Sequence, residues 1–318
     1  MTGDDASSDA ARLLAAFITT FWALFAGSSL AADLGVLPRA VERVVFASAA
    51  RGKSASSDMS ASARAAWTVP HAWFAHFYVL AALWTGVVLA RALELDPGGA
   101  LALALFHAHV LRRLLECALV HRPSRGSRMH VVGYLVGLAY YLLAPLTLAP
   151  EATRRALAEE AARSIARFFA RERAKPTTLG GGGIVPRGVV SASSRVSLAA
   201  RVAGAALFLV ANVEQHRAHA TLARLRKPPR AASASDSDYG VPRGGWFERA
   251  ACPHYGWEVA LYVGLLLCCS GADAAFAAPM AAAAFANLAL AAKRNRAWYE
   301  EHAEGYPKGR WAMIPGVV

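Results

Sequence analysis

Residues 98–120 read GGALALALFHAHVLRRLLECALV, an apolar run that carries His107, His109, Arg112, Arg113 and Glu116. About 20 apolar residues are needed to cross a bilayer as a helix, and this run is long enough. A charged side chain near the bilayer centre costs roughly 2.5–3.5 kcal/mol on insertion scales, so such groups face a protein interior or a wet cavity and mark a working site. At about 100° per residue, positions three, four and seven apart share a helix face. His109, Arg113 and Glu116 therefore fall together, Arg112 lies beside them, and His107 points elsewhere. Glu116 partly neutralises the arginines and leaves guanidinium donors for an anion. The plainer reading is an ion pair that holds helices together, or arginines reaching for an interface.

Further apolar stretches occur at about 11–33, 67–93, 129–149, 197–213, 254–270 and 272–292. Together with 98–120 they predict an all-α, polytopic integral membrane protein of about seven transmembrane helices, with no strand-period pattern in competition. The composition agrees: 56% of the 318 residues are hydrophobic and only 18% charged, against about 45–50% and about 25% in ordinary soluble domains. The net charge of +12 is read as basic flanks of membrane helices, and no nucleic-acid-binding motif accompanies it. Cys117, Cys252, Cys268 and Cys269 show no CxxC pairing, hence no disulfide framework. The acidic opening MTGDDASSDA differs from a signal peptide with a basic n-region.

The chain reads as a single membrane-embedded unit over 1–318 with two interruptions. Residues 150–196 form a basic, low-complexity insert that begins as an amphipathic helix and passes into GGGG at 180–183, a linker rather than a phosphate loop because no Lys-Ser/Thr follows. Residues 230–245, rich in Ser, Asp, Pro and Gly, read as a flexible loop. Loop positives place the N-terminus outside and the C-terminus inside, a pattern from which the basic 150–196 segment departs.

Other spans carry polar stripes as well. Gln215, His219 and Arg226 share the face of ANVEQHRAHATLARLRKP, and such a face suits a nucleotide through amide and imidazole hydrogen bonds and a guanidinium for phosphate. His216 and His219 are spaced like a metal pair, but no third ligand follows at recognisable spacing, so no metal is assigned. His130, Tyr134, Gly137 and Tyr141 line one helix face; His254, Glu258 and Tyr262 line another; Asn295, Tyr299 and His302 a third, followed by Lys308 and Arg310. His71, His76 and Tyr78 enter the second span. Acid–base and phosphate-seeking groups on several helices point to an active site rather than to packing.

The segments VPHAWFAHFYVLAALW, HVLRRLLECALVHR, MHVVGYLVGLAYYLL, EQHRAHATLARLRK, YGVPRGGWFE with CPHYGWEVALYV, and WYEEHAEGYPKGRWAMIP resemble the steroid 5α-reductase family, and within it the polyprenol reductase branch of dolichol synthesis. The resemblance covers most of the chain outside the first span and the 150–196 insert. It implies a multi-pass protein of the endoplasmic-reticulum membrane, with NADPH held by the region of about 197–318 and a long-chain isoprenoid lipid as substrate. Arg113, Glu116, Gln215, His219, Arg226, Tyr239, His254, Glu258 and Tyr299 are the cofactor contacts it implies. The steroid branch has a catalytic tyrosine where this chain has Val110 and a catalytic glutamate near Phe77. Both are missing, so the proton donor is reassigned to His76 or Tyr78, with His109 next.

Hydride adds to a carbon–carbon double bond when a conjugated carbonyl accepts the electrons as an enolate stabilised by a hydrogen-bond donor. The expected substrate is therefore the polyprenal rather than the allylic alcohol, reduced at its α-isoprene double bond on the way to the lipid carrier of protein N-glycosylation. A trans-2-enoyl-CoA reductase is the nearest alternative, because HxxRRLLE is shared with that branch; a 3-oxo-steroid reductase is a further one. A membrane methyltransferase would carry an RHP motif, which is missing beside Glu300 and Glu301. A transporter would show broken helices and repeated halves, and neither is legible.

Overall fold

The computed structural model describes residues 3–49, 67–121, 127–173, 198–225, 240–269 and 271–318. In order, the helices are α1 (Gly3–Asp33), α2 (Arg39–Ala49), α3 (Phe74–Leu95), α4 (Leu101–Leu119), α5 (Val131–Leu148), α6 (Glu151–Arg173), α7 (Leu198–Arg224), α8 (Pro253–Cys268) and α9 (Gly271–His302). The sequence expectation of a polytopic helical protein holds. Among the described residues, five helical segments are long and apolar enough to cross a membrane: Ser8–Asp33, His71–Leu95, Val131–Leu148, Leu198–Arg224 and Gly271–His302. The expected count of seven is not reached on that criterion, although all seven apolar stretches are helical. Helix α4 carries Arg112, Arg113 and Glu116, and α8 is only 16 residues long. Both pack within the bundle, α4 on α3 and α8, and α8 on α7 and α9.

Without a hydrophobic driving force between helices in lipid, close approach of backbones replaces it, and small residues permit that approach. Gly204 of α7 and Gly264 of α8 meet in this way. A Cβ on Gly204 would stand 2.7 Å from the Gly264 carbonyl, and one on Gly264 would stand 2.8 Å from the Gly204 carbonyl. Their contact fixes α7 against α8, the two helices that carry Gln215, His219 and Glu258. Gly137 of α5 likewise makes room for the ring of Phe77, whose nearest atom would lie 2.7 Å from an added Cβ. On the far side, buried Trp22 of α1 donates from its indole nitrogen to Thr147 of α5 at 2.9 Å.

Two short features were not legible as periodicity. A two-stranded antiparallel ribbon pairs β1 (Thr68–Pro70) with β2 (Arg128–His130), joining the entrances of α3 and α5. Three residues per strand are too few for an alternating pattern to register. The C-terminal tail also pairs with the segment before α8: Ala251 N donates to Trp311 O at 2.8 Å and Cys252 N to Ala312 O at 2.9 Å. Pro253 then opens α8 at a first-turn position where its missing N–H costs nothing. The first half of the 150–196 insert is helix α6, tied to α9 by Arg154 and Asp273 at 2.8 Å; its glycine-rich remainder lies outside the described residues.

Candidate active site

Helices α1, α3, α4, α5, α7, α8 and α9 surround a cavity of about 340 Å3. Its lining combines apolar side chains, Phe25, Phe74, Phe77, Met129 and Val136, with a polar set, Arg113, Glu116, His219, Glu258, Asn295 and Tyr299, while His71 and His121 pack beside Phe74.

The polar set is organised around one carboxylate. Glu116, 4% exposed, accepts from both Arg112 and Arg113 of its own helix. Across the helix interface its two oxygens meet His216 Nδ1 at 2.7 Å and His219 Nδ1 at 2.8 Å. The spacing that places Arg112, Arg113 and Glu116 on one side of α4 thus also aims them at α7. Arg112 continues the network, donating from Nε to Asn212 Oδ1 at 2.9 Å and also to Gln215. Gln215, fully buried, donates in turn to Glu258 of α8 at 2.7 Å. Removing one partner of a buried ion pair typically costs 3–5 kcal/mol because the other charge is stranded. This four-way arrangement therefore holds α4, α7 and α8 in register as well as presenting Arg113 to the cavity.

Arg113 also reaches α3. Its Nε donates to the Tyr78 hydroxyl at 3.1 Å, and its guanidinium sits 5.0 Å from the centre of the Tyr78 ring. Tyr78 and Tyr141 pack together with ring centres 5.2 Å apart. A hydroxyl has one proton to give and two lone pairs to receive. The Tyr78 oxygen receives from Arg113, so the hydroxyl keeps its own proton as a donor. Behind this pair, Tyr140 of α5 donates to Tyr262 of α8.

The structure sorts the residues expected from sequence. Tyr78, Arg113, Glu116, His219, His254, Glu258 and Tyr299 all line the cavity. Gln215 and His109 stand one layer behind it: Gln215 between Arg112 and Glu258, and His109 buried with its Nδ1 3.1 Å from Asn212 Oδ1. His109 does not line the cavity and instead contacts Arg112 and Asn212. His76 is exposed on the outer side of α3 and contacts the Tyr134 hydroxyl at 3.0 Å. Two residues along a helix turn the chain by about 200°, so His76 and Tyr78 face opposite ways and only Tyr78 reaches the cavity. Arg226 and Tyr239 lie outside the described residues. Arg310, read from sequence as a phosphate-seeking cation, is buried in the tail, donating to Pro242 O at 2.8 Å and to Glu248 at 3.1 Å.

Tyr141 was legible only as part of a stripe, and Asn212 not at all. Asn212 sits three residues before Gln215 and shares its face, so the signal was present. Asn287 and Asn295 of α9 also line the cavity, within an Ala-rich helix whose periodicity is too weak to announce a polar face.

A family profile described as 3-oxo-5-alpha-steroid 4-dehydrogenase matches residues 189–318, the stretch that supplies α7, α8, α9 and the tail. Polyprenal reductase 1 of Oryza sativa subsp. indica is 31% identical, over 87% of this chain and 89% of its own length. Polyprenal reductase 1 of Arabidopsis thaliana is 32% identical, over 79% and 82%. The polyprenal reductase of Caenorhabditis elegans is 28% identical, over 87% and 88%. The chain belongs to the steroid 5α-reductase family, among the polyprenal reductases.

Proposed function

We propose that this protein reduces the α-isoprene double bond of polyprenal, with NADPH as hydride source, in the endoplasmic-reticulum membrane, on the route to dolichol. The observation that carries the reading is the Tyr78 hydroxyl, which lines a partly apolar cavity while accepting a hydrogen bond from Arg113. Similarity to polyprenal reductases supports the substrate class. The conjugation argument independently favours the aldehyde over the alcohol, because an isolated allylic alcohol has no carbonyl to receive the electron pair.

The polar side chains fit a dinucleotide as a donor set: a guanidinium from Arg113, amides from Asn287 and Asn295, imidazoles from His219 and His254, and a hydroxyl from Tyr299. These groups suit phosphate, ribose hydroxyls and a carboxamide. When bound, NADPH supplies a hydride to the β-carbon of the enal. The chain's own residues do the rest. Tyr78 donates its proton's hydrogen bond to the aldehyde oxygen, where negative charge develops as the π electrons move to form the enolate. Arg113, bonded to the Tyr78 oxygen, makes that hydroxyl a better donor and stabilises the charge it shares. A proton that originates in solvent then adds to the α-carbon as the enolate returns to the aldehyde, completing the addition of two hydrogens. The apolar side chains of Phe74, Phe77 and Val136 exclude water from the enolate and receive the first isoprene units.

The test is to express the chain in microsomes that lack their own reductase. NADPH is supplied with polyprenal, polyprenol or a trans-2-enoyl-CoA in separate reactions, and the gain of two hydrogens is followed by mass spectrometry. Reduction of polyprenal alone is the expected result. Reduction of the enoyl-CoA in its place would overturn the substrate class, and saturation of polyprenol without an oxidising step would overturn the conjugation argument.

A further inference from the structure

A second depression, of about 600 Å3, lies on the other side of α7 from the cavity, between that helix and residues 243–253. It shares no lining residue with the active-site cavity. Three guanidiniums converge on it: Arg217 from α7, and Arg243 and Arg249 from the loop before α8. One carboxylate, Glu214, also lines it and is paired with Arg217 at 2.5 Å. Arg243 donates to the Gly305 carbonyl at 3.1 Å, and Arg249 lies 5.6 Å from the centre of the Trp246 ring. Among the described residues neither is within ion-pair distance of a carboxylate, although Arg243 is near enough to Glu248 to help hold its carboxyl below the usual range.

What leads into the depression says what would fill it. Val202, Leu209, Val210 and Val213 are all at least half exposed and lie on one side of α7. At about 100° per residue that same side continues into Arg217 and Thr221, at the depression. From Val202 to Val213 the helix rises about 16 Å at 1.5 Å per residue, close to half of a hydrocarbon core about 30 Å thick. An outward apolar stripe one leaflet long thus ends in a basic depression edged by Trp246, which is 39% exposed, and aromatic rings of this kind settle at the headgroup level.

We propose that this depression is a binding site for an anionic glycerophospholipid, whose phosphate engages Arg243 and Arg249 while its acyl chains lie along Val202, Leu209, Val210 and Val213. The ligand's recognising chemistry is a phosphate tethered to one leaflet's length of hydrocarbon. The site is independent of the reductase reading, since none of its residues lines the cavity where that chemistry is placed.

The test is native mass spectrometry of the full chain, delipidated in detergent and then offered phosphatidylserine, phosphatidylcholine or inorganic phosphate. Phosphatidylserine is expected to be retained in preference to phosphatidylcholine. Each of Arg243→Gln and Arg249→Gln should reduce that preference about fivefold, following the worth of one basic residue near an anionic membrane surface. The paired Arg→Lys variants, which keep the charge, should retain most of the preference, and this separates loss of the site from loss of the fold. Equal retention of the two lipids by the unmodified protein would overturn the proposal. So would displacement of phosphatidylserine by inorganic phosphate alone, which would assign the site to a free anion.

Discussion

The Nε of Arg113 donates to the hydroxyl of Tyr78 at 3.1 Å, across the interface of α4 and α3. One residue is thereby set between the carboxylate that joins α4 to α7, Glu116, and a hydroxyl that lines the cavity. The site's stability and its chemistry share a guanidinium, and different substitutions separate the two.

Tyr78→Phe removes the donor and leaves the ring packed against Tyr141. Loss of one preorganised donor to a developing oxyanion costs about 10²–10³ in kcat. The variant is expected to keep its thermal stability and NADPH affinity while kcat for polyprenal falls by that factor. A kcat within threefold of the parent would remove Tyr78 from the mechanism.

His76→Ala should behave oppositely. His76 is exposed and bonded to Tyr134, so its removal is expected to change kcat by less than about twofold, in line with surface substitutions of about 0.5 kcal/mol or less. Parallel kinetics of the two single variants decide between neighbours that the sequence offered as equals.

Glu116→Gln strands Arg112 and Arg113 without their carboxylate. Breaking a buried ion pair from one side costs about 3–5 kcal/mol, so the detergent-solubilised protein should melt well below the parent. His216→Ala, which removes a half-exposed partner of the same carboxylate, should lower the melting temperature far less. Equal losses would show that Glu116 acts through His216 rather than through the arginines.

Gly204→Val inserts a Cβ where the Gly264 carbonyl stands 2.7 Å away. Overpacking of this kind costs about 1–3 kcal/mol, and here it also separates the helices that carry Gln215 and Glu258. Reduced thermal stability, with a raised KM for NADPH, is the expected result; unchanged values for both would show that α7 and α8 are not held by this contact.

Outside the membrane, the Glu248 carboxyl is held below the usual carboxylate range, first by the Gly244 backbone N–H and then by Arg310. A depressed folded value stabilises the fold above the unfolded value, and that contribution is lost as pH falls through the folded one. Acidification should therefore loosen the junction of the tail with residues 240–248. Limited proteolysis of the tail against pH should show a transition that Glu248→Gln lacks.

Much of this arrangement was legible in advance because helical periodicity is local. His109, Arg113 and Glu116 lie within two turns of one helix, and their common side follows from counting. The partners on the facing helix do not: that Glu116 meets His216 and His219, rather than a free anion, depends on how α4 and α7 pack. The same holds for Arg310, whose motif reads as a phosphate grip but whose side chain is enclosed by Pro242 and Glu248. His76 and Tyr78 could have been separated by counting, since positions two apart cannot share a helix face. The count of seven spans turns on α4 and α8: the first carries Arg112, Arg113 and Glu116 and the second is only 16 residues long, so length and composition alone select five helices among the described residues.

The most direct measurement follows the label from NADPH carrying deuterium at the transferred position. The account predicts deuterium on the β-carbon of the α-isoprene unit, with a solvent-derived hydrogen on the α-carbon and the aldehyde carbon unlabelled. Deuterium on the former aldehyde carbon, with the double bond intact, would contradict it and make the protein a carbonyl reductase.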